Sequence, residues 1–283
     1  MKGPSIYIKK YSGELEQFSF EKLKNSLQRS GASDTIINSI TKTLSPQLYD
    51  GITTKEIYTK AFRLLKKSSR ISASKYSLKR AIYELGPTGY PFERLVGAVL
   101  KHKGYKTKVS QLLEGECITH EIDVLAEKDG NAFTIECKFH SNAKTVSNVK
   151  IPLYINSRFL DVQKKWNANP DRKTFLKQGW IITNTRFTED ALNYGECVGL
   201  GLLSWDYPKD NGISKNIDQY GLYPITTLTT LTKREKKLLI EKDIILTQEL
   251  VSATQKLKHL HFSVTKIEKV IAEAQKLCNI KLK

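Results

Sequence analysis

The sequence has little of what marks several common protein classes. Four cysteines in 283 residues, at 117, 137, 197 and 278, form no CxxC pair, which argues against a zinc site or a disulfide framework and leaves buried thiols in a reducing compartment. No stretch approaches the ~20 apolar residues of a membrane span. The opening MKGPSIYIKK lacks the apolar core of a signal peptide, so a cytoplasmic protein without a membrane partner is expected. No G-x-x-x-x-G-K-[ST] loop occurs, which excludes a P-loop nucleotide hydrolase in this chain.

What the chain has in excess is positive charge. The formal net charge is +17, and it is uneven: +9 over residues 1–89, +2 over 90–224 and +6 over 225–283. A nearly balanced middle between basic ends suits a polyanionic partner, DNA above all. A lysine-rich proteome would give the same total. Within the first segment, eight basic residues and no acid lie between Lys60 and Arg80, a pattern that a solvated helical face explains equally well.

The most informative stretch runs from Glu116 to His140. Its apolar-rich run Ile118–Ala126, the Lys128-Asp129-Gly130-Asn131 turn and the returning run Ala132–Phe139 predict a β-hairpin. Glu136 and Lys138 alternate in phase and project to one face, and Asp123 on the first strand falls opposite or diagonal to them. Glu121 and His140 continue the same alternation. Two carboxylates can hold a hard divalent cation such as Mg²⁺ or Mn²⁺. A neighbouring ammonium can orient water and stabilise charge developing on a phosphate. A salt-bridge trio on an amphipathic hairpin is the plain alternative.

The order of motifs carries more than any one of them. Gly89-Tyr-Pro-Phe-Glu-Arg-Leu-Val-Gly-Ala-Val-Leu predicts a helix bearing Glu93; strands with Asp123 and then Glu136-Cys137-Lys138 follow. This series resembles the PD-(D/E)xK nuclease superfamily, and its Mrr-like restriction-endonuclease branch most of all. The segment Gly179-Trp-Ile-Ile-Thr-Asn-Thr-Arg-Phe-Thr-Glu-Asp-Ala resembles that branch's strand-to-helix passage. The resemblance spans roughly Pro87 to Tyr207. It implies a metal-dependent endodeoxyribonuclease: Asp123, Glu136 and the Cys137 carbonyl as metal ligands, Glu93 assisting and Lys138 orienting water. His120, His140 and Arg158 become candidate DNA contacts.

Residues 5–85 resemble the ATP-cone, a nucleotide-binding regulatory module. The matching residues are Ile8-Lys9-Lys10-Tyr11-Ser12-Gly13, Glu16, Phe18, Lys22-Leu23, and later Tyr76 with Arg80. The resemblance implies that Lys9, Lys10, Lys22 and Arg80 meet the phosphates of ATP or dATP and that Tyr76 lines the pocket. Lys10 stands where the family has arginine, and lysine lacks the bidentate fork. In the C-terminal part, LTKREKKLLIEKDIILTQEL loosely resembles a helix-hairpin-helix, without that unit's glycines.

The resulting expectation is a multidomain α/β protein. A small, mostly helical cone spans 1–86, a nuclease core with a mixed sheet flanked by helices 87–208, a linker 209–224, and a helical DNA-binding or dimerisation module 225–283. Helices are expected near 21–30, 34–45, 54–68, Ser72–Glu84, Val149–Lys165 and Glu189–Tyr194, and strands at Trp180–Thr183 and Val198–Trp205. Ser141–Lys150 reads as a mobile loop. A homodimer suits the cutting of two strands. A non-catalytic, nucleotide-sensing DNA-binding protein on the same scaffold is the alternative.

Overall fold

The computed structural model of the protein describes residues 6–10, 13–252 and 254–278. Strands β1 (Tyr7–Lys9) and β2 (Leu15–Gln17) pair antiparallel, with Ile8 opposite Glu16. Tyr11 and Ser12, matched to the ATP-cone, lie outside the described residues. Helices α1 (Phe20–Arg29), α2 (Asp34–Leu44) and α3 (Thr54–Ser68) start where the capping residues dictate. The Ser19 hydroxyl accepts the Lys22 N–H at 3.2 Å, and Thr53 and Glu56 form a reciprocal capping box. Leu27, Ile40, Leu44, Ala61 and Leu65 bury one face of each helix in a core belonging to this unit.

The single helix expected from Ser72 to Glu84 is two: α4 (Arg70–Tyr76) and α5 (Leu78–Tyr83). The Ser77 hydroxyl donates to the Ser74 carbonyl at 2.9 Å, a local bond that competes with helix continuation. The break has a packing consequence. Ala73 lies in the N-terminal core, whereas Leu78, Ile82 and Leu85 enter the central one.

Helix α6 (Tyr90–His102) buries Phe92, Leu95, Val96, Val99 and Leu100, the i, i+3, i+4, i+7, i+8 stripe of a core-facing helix. Next come β3 (Lys106–Glu114), β4 (Thr119–Lys128), β5 (Asn131–Lys138), α7 (Lys150–Ala168), β6 (Phe175–Thr183), α8 (Glu189–Cys197) and β7 (Gly201–Leu203). The sheet order is β3-β4-β5-β6-β7; β3–β4 and β4–β5 are antiparallel, β5–β6 and β6–β7 parallel. The parallel pairs need crossovers, which α7 and α8 supply. The mixed sheet flanked by helices is therefore as expected. The β4–β5 turn has two central residues, Asp129 and Gly130, at φ 51° and 74°, the backbone that an Asp-Gly hairpin requires.

Strand β3 had no counterpart in the sequence reading. Its pattern KTKVSQLLE is mostly polar because one face of an edge strand meets water. The expected strand Val198–Trp205 shrinks to β7. The loop after β5 is fastened: buried Ser147 donates its N–H to Arg186 O at 2.8 Å and accepts the Thr188 N–H at 3.0 Å.

The segment expected as a linker contains α9 (Ile213–Tyr220), whose Ile213 and Ile217 are buried in the central core. The chain continues through α10 (Lys233–Glu241), α11 (Thr247–Ser252), α12 (Thr254–His259) and α13 (Val264–Cys278). Leu228, Leu239, Leu250 and Val270 share that core with α6. The C-terminal helices are thus packed onto the sheet domain. Asp243 takes φ 57° in the turn after α10, and Arg94 pairs with both Asp243 and Glu249, the latter at 2.9 Å. The turn of the helix-hairpin-helix-like stretch therefore points its carboxylate at α6. No helix among the described residues is long and apolar enough to cross a membrane.

Candidate active site

The candidate site forms where the hairpin comes apart. The β3–β4 ladder passes from Val109↔Val124 to Gln111↔Ile122 and skips Ser110 and Asp123. Ser110 has φ 51°. Ile122 packs with Phe159 and Val162 of α7, but Val124 packs into the core beneath α6. Residues two apart on a regular strand share a face, so β4 rolls over at Asp123. The β4–β5 ladder also ends beside it, at Val124↔Ile135, while β5 continues along β6 through Lys138↔Thr183. In place of a strand carbonyl, Asp123 Oδ2 accepts the Cys137 N–H at 2.6 Å.

Glu136 is buried on the α7 side of β5 and is held from two directions. Lys138 Nζ donates to Oε1 at 2.5 Å and Arg158 Nη1 to Oε2 at 2.7 Å. Arg158 Nη2 also donates to the Glu121 carbonyl, while its buried Nε has no partner. Glu93 stands in the first turn of α6, where the helix dipole favours a carboxylate. Burial nonetheless pushes its pKa up to about 7, helped by the charges of Asp123, Glu121 and Glu136 and opposed by a hydrogen bond with Ser110. Burial, then the charge of Glu136, raises Asp123 to about 6, against the Cys137 N–H, Lys138 and Arg158.

Those two raised carboxylates test whether a divalent cation fits. Asp123 and Glu93 offer hard oxygen donors in a half-buried place with unneutralised negative charge, the donor chemistry that Mg²⁺ or Mn²⁺ takes. Among the described residues no three His, Cys, Asp or Glu side chains form a ready-made metal cluster, and Glu136 is engaged by Lys138 and Arg158. Cys137 can offer only its backbone: the thiol is buried in the core, and burial raises its pKa well above the ordinary value.

The remaining candidates are placed differently. His120 is buried, its Nε2 2.7 Å from Asp161 Oδ2; Asp161 also accepts the Cys117 N–H at 2.9 Å. His120 thus ties the start of β4 to α7. Arg158, expected at a phosphate, serves Glu136. His140 stays beside the site, its N–H on Asn184 Oδ1 at 2.8 Å and its ring near Ser147. Burial, then the Lys138 charge, lowers its pKa. All four cysteines are free thiols, but Cys117 and Cys197 are exposed where buried thiols were expected.

The residues matched to the ATP-cone do not share one cavity. Lys10 and Lys22 meet on Glu16, Lys10 at 2.5 Å. Lys9 and Lys10 border a cleft with Lys144, Lys22 borders another, Tyr76 lines a third beneath α9, and Arg80 pairs with Glu84 at 2.8 Å beside a fourth. Tyr76 stacks on Tyr58 with ring centroids 5.1 Å apart. Sequence reading missed Arg158 as the partner of Glu136, and Ser110; an i to i+22 pairing between strand and helix has no local signal.

This geometry defines a mixed α/β protein with a carboxylate–lysine cluster at a broken strand pair. Comparison with known proteins places it further. An uncharacterized protein of Archaeoglobus fulgidus is 39% identical over 180 residues, covering 63% of this chain and 97% of the relative. The crystal structure of the protein of unknown function AF1548 superposes with a TM-score of 0.56 at 36% identity, covering 69% of this chain and all of that one. A family model described as AF1548-like, C-terminal, matches residues 223–278. The chain belongs to the AF1548-like family. The DNA modification-dependent restriction endonuclease AspBHI aligns with a TM-score of 0.35 and 12% identity, over 60% of this chain and 39% of that one, a likeness too loose to carry an argument.

Proposed function

We propose that the protein is a metal-dependent DNA endonuclease that hydrolyses phosphodiester bonds in restriction, defence or repair. The observation that supports this reading most directly is the convergence of Glu93, Asp123, Glu136 and Lys138 where β4 and β5 separate. A salt-bridge trio on a hairpin surface would not need the strand to roll over, nor leave two half-buried carboxylates whose pKa values are both raised by burial and neighbouring acids.

Asp123 and Glu93 would hold Mg²⁺ or Mn²⁺, joined by Glu136 and the Cys137 carbonyl. When bound, such an ion stabilises charge on the scissile phosphate and lowers the pKa of a bound water. The protein's own part is positioning. The Cys137 N–H fixes Asp123, Arg158 fixes Glu136, and Lys138 orients the attacking water. ATP or dATP would act as an allosteric ligand of the N-terminal unit. A homodimer would bring one site to each DNA strand.

The test is cleavage of supercoiled plasmid with Mg²⁺, Mn²⁺, Ca²⁺ or EDTA, each with and without ATP or dATP. Nicking or linearisation with Mg²⁺ or Mn²⁺ and none with EDTA is the expected result. DNA binding without cleavage in every condition would overturn the reading.

A further inference from the structure

A second cluster lies away from the carboxylates, where the N-terminal helices meet the C-terminal segment. Lys66 of α3, Arg80 of α5, and Lys233 and Lys236 of α10 border a pocket of about 190 Å³ with Tyr58. Its one acid, Glu84, is taken by Arg80.

The lysines are held in a particular way. Lys236 Nζ donates to the Thr226 carbonyl at 2.6 Å and Lys66 Nζ to the Thr229 carbonyl at 3.2 Å. An ammonium carries three N–H donors, so these carbonyls orient the amines without neutralising them. The Thr226–Thr229 loop is itself rigid, because buried Glu273 accepts the N–H groups of Thr229 and Thr230, both at 2.9 Å. The Tyr58 hydroxyl is buried at the pocket and has no hydrogen-bond partner, an orphan donor of the kind that a ligand satisfies. Burial lowers the Lys236 pKa, against the charges of Glu84 and Glu273 and with a smaller push from Lys66 and Arg80.

We propose that this pocket binds the polyphosphate group of a small anion, a nucleoside di- or triphosphate or inorganic pyrophosphate, and so clamps the N-terminal helices to the C-terminal segment. Its size suits a short chain of phosphates. Of the residues matched to the ATP-cone, only Arg80 borders it; Lys9, Lys10 and Lys22 lie elsewhere. The site does not depend on the cleavage chemistry, so either reading can fail alone.

The test is titration calorimetry of the full-length protein with pyrophosphate and with ATP, without divalent cation, at low salt. Binding of either is expected, weakened at least tenfold by Lys66→Met and by Lys236→Met. Lys66 is exposed, so its variant stays informative if Lys236→Met misfolds. Equal affinity for the two ligands would mean that phosphates alone are read; tighter ATP would add a contact to the nucleoside. Absence of binding to both overturns the proposal. So does binding that survives Lys66→Met but is lost in Lys22→Ala, which would move the ligand to the N-terminal hairpin.

Discussion

Asp123 accepts the backbone N–H of Cys137 at 2.6 Å, the bond that a strand carbonyl would accept if β4 and β5 stayed paired. One carboxylate thereby does two things: it closes the open end of the ladder and is held still beside Glu93 and Glu136. A charge-assisted bond of this kind is worth about 1.5–3 kcal/mol. Local stability and the orientation of the candidate ligand are thus the same interaction.

Arg158 should matter for stability as well as activity. Arg158→Met leaves buried Glu136 with Lys138 alone, and the loss should be about 2 kcal/mol. Urea denaturation measures it. Because Arg158 and Glu136 touch, the Arg158→Met/Glu136→Gln double variant should lose less than the two single losses combined; additive losses would show that the pair is not coupled.

Glu273 joins three parts of the chain: it accepts the Ser74 hydroxyl at 2.9 Å from α4 and the Thr229 and Thr230 N–H groups. Burial alone would raise its pKa, but the hydrogen bonds from Thr230 and Thr229 outweigh it and lower it below 4.5. A depressed carboxylate contributes stability above its unfolded pKa, lost as pH falls through the folded value. Glu273→Gln should therefore cost about 2 kcal/mol at pH 7, and the difference from the natural protein should shrink below pH 4.5, the ordinary value of the group. Thermal melts across pH 3–7, read relative to that value, check the sign.

Gly115→Ala should be disruptive despite the small change. A Cβ there would fall 2.6 Å from the Ile118 carbonyl and would strike the Asp161 carboxylate that holds His120. A fall in Tm of several degrees is expected, on the order of 5 °C or more, whereas Gly130→Asn, at an open turn with positive φ, should shift it little.

Lys138→Met should separate chemistry from folding. The side chain is partly exposed and Arg158 still holds Glu136, so the Tm should change by only a few degrees. Metal-dependent cleavage should fall by about 100-fold. Metal-dependent nicking assays beside thermal melts give both numbers.

The sequence disclosed the parts that local chemistry determines. Ser19, Ser33 and Thr53 cap the starts of α1, α2 and α3. Asp129-Gly130 marked the hairpin, and the i, i+2 alternation placed Glu136 with Lys138. What it hid depends on tertiary partners. Strand β3 is a polar edge, the break at Ser77 follows from a side-chain bond, and α9 looked like a linker because turn residues surround its few apolar positions. Alternation along β4 also misled, because the roll at Asp123 ends the period of two between Ile122 and Val124. The pairings of Arg158 with Glu136 and of His120 with Asp161 have no local signal, because each acid arrives from elsewhere in the chain.

The most direct test of the central claim is the initial rate of Mg²⁺-dependent nicking of supercoiled plasmid by the natural protein and by Asp123→Asn, with the Tm of both recorded. The account predicts a loss of about 100-fold or more in a variant that remains folded and keeps its affinity for DNA. Cleavage at the natural rate by a folded Asp123→Asn protein would contradict it.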